Sequence, residues 1–252
     1  RPGDAQALLL AAGERGARLV QLVLDLLPEA GIAQAASAYS ADAPVEVLLE
    51  IDTGHGRCGI EPDSNTLLPR AQQIIDAESL RLAGVLTHAG QSYAGPDASE
   101  TAETALRRVS HQETHRILEA AARIYSETSP PVSKADFTVS IGSTPSMRYF
   151  ENAERNGLRI TEIRPGNYVF YDAMQHTLGV CPLDHCALTA YTQVVSRHRL
   201  PNGTERVFVD AGKKVFTTDT GVQTSGFGIA LYNAAFMREH PHVQITNLSE
   251  EH

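Results

Sequence analysis

The sequence has no surplus of basic residues and no long apolar run. Its 252 residues include 21 Lys and Arg against 30 Asp and Glu, which gives a formal net charge of −9. Proteins that bind nucleic acid usually have a basic excess, and a membrane-spanning helix needs roughly 18 consecutive apolar residues. These absences argue against nucleic-acid and membrane partners and predict a soluble globular chain, with 42% apolar residues available for its core.

Cysteine is scarce, and the start of the sequence has no secretion signal. The three cysteines, Cys58, Cys181 and Cys186, cannot all pair with one another and form no dense disulfide framework, so a reducing compartment is expected. Residues 1–12 lack the charged start, apolar centre and small-residue cleavage site of a signal peptide. The expected location is the cytoplasm, and Arg1 in place of an initial Met predicts a processed or partial chain.

Strand-like apolar runs alternate with helix-like stretches in the part of the sequence before Tyr171. The predicted strands cover residues 19–24, 45–51, 82–86, 137–141 and 160–163, and the predicted helices cover residues 28–39, 65–77 and 99–126. The run VEVLLEI at residues 45–51 is too continuously apolar for a half-exposed strand and is typical of buried parallel strands. This alternation indicates βα units and predicts an α/β fold of the barrel type.

The pattern changes after Tyr171. Residues 187–196 and 206–210 are strand-like, the turn 201–203 (Pro-Asn-Gly) between them is a good hairpin signal, and no amphipathic helix separates them. The sequence therefore predicts two domains: an α/β barrel domain over residues 1–175, with its first strands missing, and an incomplete β-rich domain over residues 176–252.

Each of the last four predicted strands of the barrel domain is followed by a polar or glycine-rich segment. These segments cover residues 52–57, 87–93, 142–146 and 164–168. In parallel α/β folds, function collects at the carboxyl ends of the strands. Small residues and hydroxyls suit a phosphate group, which barrel enzymes often hold on the loops after their final two strands. The last two segments predict a ligand that contains phosphate.

Each of these positions also has a purely structural interpretation. Arg57 is equally consistent with a surface residue that pairs with Glu61, and Tyr93 with a packing residue whose hydroxyl lies in water. His88 taken alone is more typical of a hydrogen-bonded core histidine. Four such segments at four successive strand ends favour the functional interpretation.

Six motifs in a fixed order resemble those of a known family. They are EIDTGHGRCGI (residues 50–60), GVLTHAGQSY (84–93), VSIGSTPS (139–146), EIRPGNYVFYD (162–172), VDAGKK (209–214) and SEEH (249–252). The chain resembles the D-threonine aldolase and D-serine dehydratase-like family of pyridoxal-phosphate enzymes. The resemblance implies an alanine-racemase-type barrel followed by a β domain.

The resemblance also implies roles for individual residues. It implies that the cofactor phosphate is held by Gly142, Ser143, Thr144, Gly166, Asn167 and Tyr168. Arg57 would face the pyridoxal ring or its phenolic oxygen, where a cation tunes the electron sink. His88 and Tyr93 would line the ring and the substrate side, and His88 is the one candidate catalytic residue within the chain.

The chain departs from the family pattern at both ends. Members have the Schiff-base lysine at the end of the first barrel strand, but no lysine precedes Lys134 here. The resemblance therefore implies that this lysine and about three strands lie upstream of Arg1, since a barrel needs about eight strands. Members also have a His-x-Cys or His-x-Asp metal pair after the SEEH segment, so metal ligands are expected beyond His252 and none within the chain.

Residues within the chain offer poor substitutes for both groups. Lys134 lies at the amino end of a predicted strand, and Lys213 and Lys214 are expected on the surface or between domains. The cluster Cys181, Asp184, His185 and Cys186 has metal-ligand residue types. Four ligands within six residues strain a tetrahedral site, so this segment is expected to be structural.

The resemblance predicts a pyridoxal-phosphate-dependent lyase that acts on D-3-hydroxy amino acids. The activity would be that of a D-threonine aldolase or of a dehydratase of D-serine or 3-hydroxyaspartate, with zinc or manganese as a Lewis acid. An amino-acid racemase of the same fold and a non-catalytic pyridoxal-phosphate binder remain as alternatives. The expected partners are a small D-amino acid and a second subunit in a homodimer.

Overall fold

The computed structural model describes residues 40–221, 224–233 and 238–252. The predicted strand at residues 19–24 and the predicted helix at 28–39 lie outside these ranges. The chain divides into two compact units. The first unit contains the described residues up to Ser92 together with Thr104–Pro165, and the second contains Tyr93–Glu103 together with the described part of Gly166–His252.

The first unit is built on a parallel sheet of four strands, each of which pairs with the one listed next to it below. The strands are β1 (Val45–Glu50), β2 (Leu80–Leu86), β3 (Thr138–Ile141) and β6 (Glu162–Ile163), and the helices are α1 (Leu67–Ile75), α2 (Ala102–Thr128) and α3 (Thr144–Met147). The predicted α/β class and parallel sheet are confirmed. Within the described ranges the sheet is open, as expected for part of a barrel.

Alternation along the strands creates two different faces. On β1, Val47 and Leu49 belong to the main hydrophobic cluster, together with Leu67 of α1 and Ile117 of α2. The opposite face has a small separate cluster of Leu48, Ala83 and Leu86. Because helices cover one face and side chains also fill part of the other, the strands read as nearly continuous apolar runs.

A short hairpin that the sequence analysis did not predict lies before β6. Strands β4 (Glu154–Arg155) and β5 (Leu158–Arg159) pair antiparallel. Asn156 and Gly157 between them have φ values of 55° and 78°, which is the backbone that an Asn-Gly hairpin turn requires. The predicted strand at residues 160–163 is wrong in its first half, because Ile160 hydrogen-bonds through both backbone groups to the Asn152 side chain.

The described residues of the second unit include one short α-helix, a 3-10 turn at Leu183–His185 and two antiparallel ribbons. Its elements are α4 (Ala173–Thr177), β7 (Val194–Arg199), β8 (Glu205–Val209), β9 (Ile229–Asn233) and β10 (Arg238–Gln244). The predicted hairpin around residues 201–203 is confirmed, since β7 and β8 pair antiparallel across it. The predicted strand at 187–196 instead begins at Val194, because its partner strand has only five residues and leaves the earlier positions unpaired.

Among the described residues, no helix has the length and apolar character that crossing a membrane requires.

Candidate functional site

The segments that follow the parallel strands meet at one edge of the first unit's sheet. The Thr53 and Thr87 hydroxyls lie 3.1 Å apart, which links the segments after β1 and β2. Arg164, just after β6, donates from Nη2 to the Thr87 carbonyl at 2.6 Å and from Nε to Ser140 Oγ at 2.7 Å. The structure therefore brings the predicted segments of this unit together at the carboxyl edge.

The Asp52 carboxylate fixes the loop that precedes Arg57. Its Oδ1 accepts the N–H groups of Gly54 and His55 at 2.8 Å each, and its Oδ2 accepts that of Gly56 at 2.9 Å. Gly56 has a φ of 70°, a conformation that glycine adopts without steric cost. A single carboxylate thus shapes the turn by satisfying three backbone donors.

Arg57 is exposed and lies beside a buried acidic group. A hydrogen bond to the Cys58 sulfur, assisted by the nearby Glu50 carboxylate, raises the pKa of Arg57 above its ordinary value. Glu50 is 4% exposed, and its Oε1 accepts from the Cys58 thiol at 3.0 Å. Its Oε2 is buried and has no hydrogen-bond partner within the described ranges. An unsatisfied buried acceptor is costly, so this edge offers a place for a further donor.

His88 is half-buried and bound to the segment after β3. Its ring hydrogen-bonds to the backbone of Gly142. Burial lowers the pKa of His88, the bond to Gly142 opposes this, and the positive charges of Arg57 and Arg164 add to the lowering. A neutral imidazole at this edge is consistent with both interpretations of His88, as a hydrogen-bonded core residue and as a group that lines a ligand.

The segment after β3 presents buried hydroxyls on a tightly packed backbone. A Cβ atom at Gly142 would lie 2.8 Å from the carbonyl oxygen of Arg164, so only glycine fits there. The side chains of Ser143, Thr144 and Ser146 are 1%, 2% and 0% exposed. Several hydroxyl donors on a closely packed glycine-containing segment are the features that suit an anion such as phosphate.

The structure adds Glu113 of α2, which the sequence analysis missed. It is 0% exposed; its Oε1 accepts the Gly142 N–H at 3.1 Å, its Oε2 accepts the Ser146 hydroxyl, and the Ala89 backbone also hydrogen-bonds the carboxylate. Burial raises the pKa of Glu113, while these bonds and the charge of Arg164 oppose the rise. Glu113 therefore joins the segments after β2 and β3.

The remaining predicted ligand-binding residues belong to the second unit. They are Tyr93, Gly166, Asn167 and Tyr168. The Asn167 amide donates to Asp172 Oδ2 at 2.6 Å, and Asp172 also caps α4 by accepting the Gln175 N–H at 2.8 Å. Tyr168 is 56% exposed. Their role in holding phosphate stays a prediction.

Lys134 lies away from this edge, at the amino end of β3, as expected from the sequence. Its ammonium donates to the Asn156 carbonyl at 2.6 Å, beside the β4–β5 turn, and Lys214 forms an ion pair with Glu251 in the second unit. In the part of the chain that the structure describes, no group of three or more His, Cys, Asp and Glu side chains is arranged to hold a metal ion. Cys181 and Cys186 are free thiols.

The fold and the sequence define the class of protein. The alanine racemase N-terminal domain family matches residues 9–173, and the putative serine dehydratase domain matches residues 187–252. The first match covers more than half of the chain, so the chain belongs to the alanine racemase N-terminal domain family. This confirms the family resemblance, and the family is one of pyridoxal-phosphate enzymes.

Three proteins of known name are similar to this chain over most of its length. D-threo-3-hydroxyaspartate dehydratase of Delftia sp. (strain HT23) is 32% identical over 225 residues, which cover 87% of this chain and 54% of that protein. D-serine dehydratase of Dictyostelium discoideum is 28% identical and covers 81% of this chain and 52% of its own length. D-threonine aldolase of Arthrobacter sp. is 28% identical, with 87% and 53% covered.

The solved structure of the Delftia enzyme has the same fold. It superposes with a TM-score of 0.75 at 28% sequence identity and covers 100% of this chain and 62% of that one. The chain spans about half the length of the curated relatives it matches.

Proposed function

We propose that the chain forms part of a pyridoxal-phosphate-dependent lyase that acts on D-3-hydroxy amino acids. The activity is that of a dehydratase of 3-hydroxyaspartate or D-serine, or of a D-threonine aldolase. The observation that supports this most directly is the carboxyl edge of the first unit. There the buried residues Ser143 and Thr144 follow Gly142, whose backbone hydrogen-bonds to the His88 ring. The chain is related to those three enzymes.

The donor set at this edge fits the cofactor. Ser143 and Thr144 would hold the phosphate by backbone and hydroxyl donors next to Gly142, whose own N–H is bonded to Glu113. The family resemblance adds Gly166, Asn167 and Tyr168 to the expected phosphate ligands. Arg57, which is cationic at any ordinary pH, would lie beside the phenolic oxygen of the ring. When bound, the cofactor stores the electron pair released by bond cleavage.

The other residues of the site orient and enclose the ligand. His88, fixed by its hydrogen bond to Gly142, lines the ring, and Tyr93 lines the substrate side. A divalent zinc or manganese ion and a homodimeric assembly belong to this proposal for the whole protein, and both rest on the family resemblance.

Product analysis of the complete protein tests the proposal. The protein is incubated with pyridoxal 5'-phosphate, Zn²⁺ or Mn²⁺, and D-serine, D-threo-3-hydroxyaspartate or D-threonine. A dehydratase yields ammonia with pyruvate or oxaloacetate, and an aldolase yields glycine and acetaldehyde from D-threonine. Turnover of none of the three substrates would contradict the proposal.

Two alternatives have distinct outcomes in the same experiment. Interconversion of D and L enantiomers without bond cleavage would identify a racemase. Cofactor binding without turnover and without a pyridoxyl-lysine peptide after borohydride reduction would identify a non-catalytic binder. The observation that favours the binder is that Lys134, the lysine of the first unit, contacts the Asn156 carbonyl beside the β4–β5 turn.

A further inference from the structure

A line of buried hydroxyls connects Glu113 to the predicted phosphate loop. Glu113 Oε2 accepts from Ser146 Oγ, Ser146 Oγ lies 2.8 Å from Ser143 Oγ, and Ser143 Oγ lies 2.9 Å from Ser92 Oγ. The exposed fractions of these four residues are between 0% and 2%. We call Glu113, Ser146, Ser143 and Ser92 the hydroxyl line.

The direction of the hydrogen bonds in this line is fixed by the charge of Glu113. An ionised carboxylate only accepts, and each serine hydroxyl has a single proton to donate. With Glu113 ionised, Ser146 donates its proton to the carboxylate, so the bond between Ser146 and Ser143 must be donated by Ser143. The Ser143 proton then points away from any ligand, which leaves only oxygen lone pairs for an anion to meet.

Protonation of Glu113 reverses the direction of the hydrogen bonds in the hydroxyl line. A neutral Glu113 donates from Oε2 to Ser146, while its Oε1 still accepts the Gly142 N–H, which lies at 3.1 Å. Ser146 then donates to Ser143 Oγ, or to the Ser143 carbonyl at 3.2 Å. The Ser143 hydroxyl is then released from Ser146, and it can donate its proton to Ser92 Oγ, at 2.9 Å, or to an oxygen of a bound phosphate, which requires such a donor.

The charges around Glu113 shift the equilibrium between its ionised and neutral forms. Arg164, just after β6, favours the ionised carboxylate, whereas burial favours the neutral ring of His88, which hydrogen-bonds to the Gly142 backbone. A phosphate dianion that binds at Ser143 places like charge near Glu113 and favours its neutral form. Burial already shifts the pKa of Glu113 upward, in the direction that favours its neutral form.

We propose that binding of a phosphate group at Gly142–Thr144 is coupled to the uptake of one proton by Glu113, which turns the Ser143 hydroxyl from an acceptor into a donor. The proton comes from solvent through the buffer, and no covalent bond changes. This rests on the proposed function in that it takes the phosphate of pyridoxal 5'-phosphate as the natural occupant. Glu113 acts through Ser146 and Ser143 and is therefore a positioning residue.

The test measures binding rather than turnover. Dissociation constants of the complete apoprotein are measured for pyridoxal 5'-phosphate, methyl phosphate and pyridoxal between pH 7 and 9, above the second ionisation of a phosphate monoester at about pH 6. Calorimetry in two buffers of different ionisation enthalpy counts the protons taken up. For the wild type, the affinity for both phosphate ligands is expected to fall with rising pH, by up to about tenfold per pH unit. Pyridoxal, which lacks phosphate, is expected to show no such dependence on Glu113.

Two matched variants show how much of the pH dependence of binding comes from the Glu113 carboxylate. In Glu113→Gln the amide donates to Ser146 permanently, so the affinity for phosphate is expected to lose its pH dependence and to remain near the low-pH value of the wild type. Glu127→Gln makes the same change at an exposed position of the same helix and is expected to behave as wild type.

The outcomes separate this inference from the proposed function. Zero proton uptake by the wild type, equal uptake by Glu113→Gln, or a folded Glu113→Gln that binds phosphate poorly at every pH would each overturn the inference. Protein that takes up neither pyridoxal 5'-phosphate nor pyridoxal would contradict the proposed function instead.

Discussion

The two units bury their apolar residues very differently. The first encloses one large cluster, which includes Leu82, Ile117 and Phe137 at 0% exposure. In the second unit Leu188 is 74% exposed and Tyr191 85%. A parallel sheet covered by helices encloses its own core, whereas two-stranded ribbons are marginal on their own. We therefore expect the first unit to contribute most of the stability of the chain and the second to depend on surfaces beyond its own ribbons.

The largest expected effect is on the free energy of unfolding, when one leucine from each unit is replaced by alanine. Leu82→Ala removes a side chain that is 0% exposed and should cost about 2–5 kcal/mol, because the cavity cannot fully collapse. Leu188→Ala, at 74% exposure, should change the free energy of unfolding by no more than about 0.5 kcal/mol. Urea unfolding of both variants measures the difference. Equal losses would break the contrast between the units.

The buried carboxylate of the first unit makes its stability depend on pH. Because the pKa of Glu113 is raised in the folded state, the ionisation of this group removes stability as the pH rises from the unfolded value of about 4.3 through the folded value. Glu113→Gln should therefore gain stability relative to wild type across that window. Thermal melts of both proteins from pH 4 to pH 8 check this, and a constant difference would contradict it.

An intermediate effect is expected at the helix cap of the second unit. Asp172 accepts the Gln175 N–H at 2.8 Å and the Asn167 amide at 2.6 Å. Asp172→Ala should cost about 1 kcal/mol through the lost cap and should speed hydrogen exchange at α4 without affecting α2. Asp172→Asn is the control that keeps a capping oxygen. Equal protection of α4 in both variants would rule out a capping role.

The smallest effect is expected on the surface of the second unit. Arg197 and Glu205 pair across β7 and β8 with side chains 67% and 46% exposed. Exposed pairs of this kind contribute about 0.2–1 kcal/mol and are screened by salt. A double-mutant cycle with Arg197→Ala and Glu205→Ala at low and high salt measures the coupling. A coupling that persists at 1 M salt would contradict the account.

Sequence patterns predicted the first unit better than the second. The strand over residues 45–51 and the long helix over 99–126 were predicted within a few residues, because burial imposes a clear pattern on their side chains. The β4–β5 hairpin was missed although Asn156-Gly157 is a strong turn signal. The strand predicted at 187–196 began too early because a strand needs a partner, which local sequence does not reveal.

The site was predicted only in part for a similar reason. The loops with Arg57, His88 and Ser143 follow predicted strands, so their place at one edge could be inferred. Glu113 had a readable signal, since it lies four residues from both Val109 and Ile117 on the apolar face of α2. The hydrogen bond from Arg164 to the Thr87 carbonyl joins residues 77 positions apart, and no local pattern predicts such a contact.

The central claim is that the loop after β3 holds the phosphate of the cofactor. The most direct measurement compares the affinities of wild type, Ser143→Ala and Thr144→Ala for pyridoxal 5'-phosphate and for pyridoxal. The account predicts that each variant loses affinity for the phosphorylated ligand, by about tenfold for one charge-assisted hydrogen bond, and keeps its affinity for pyridoxal. Unchanged affinity for pyridoxal 5'-phosphate, or an equal loss for both ligands, would contradict it.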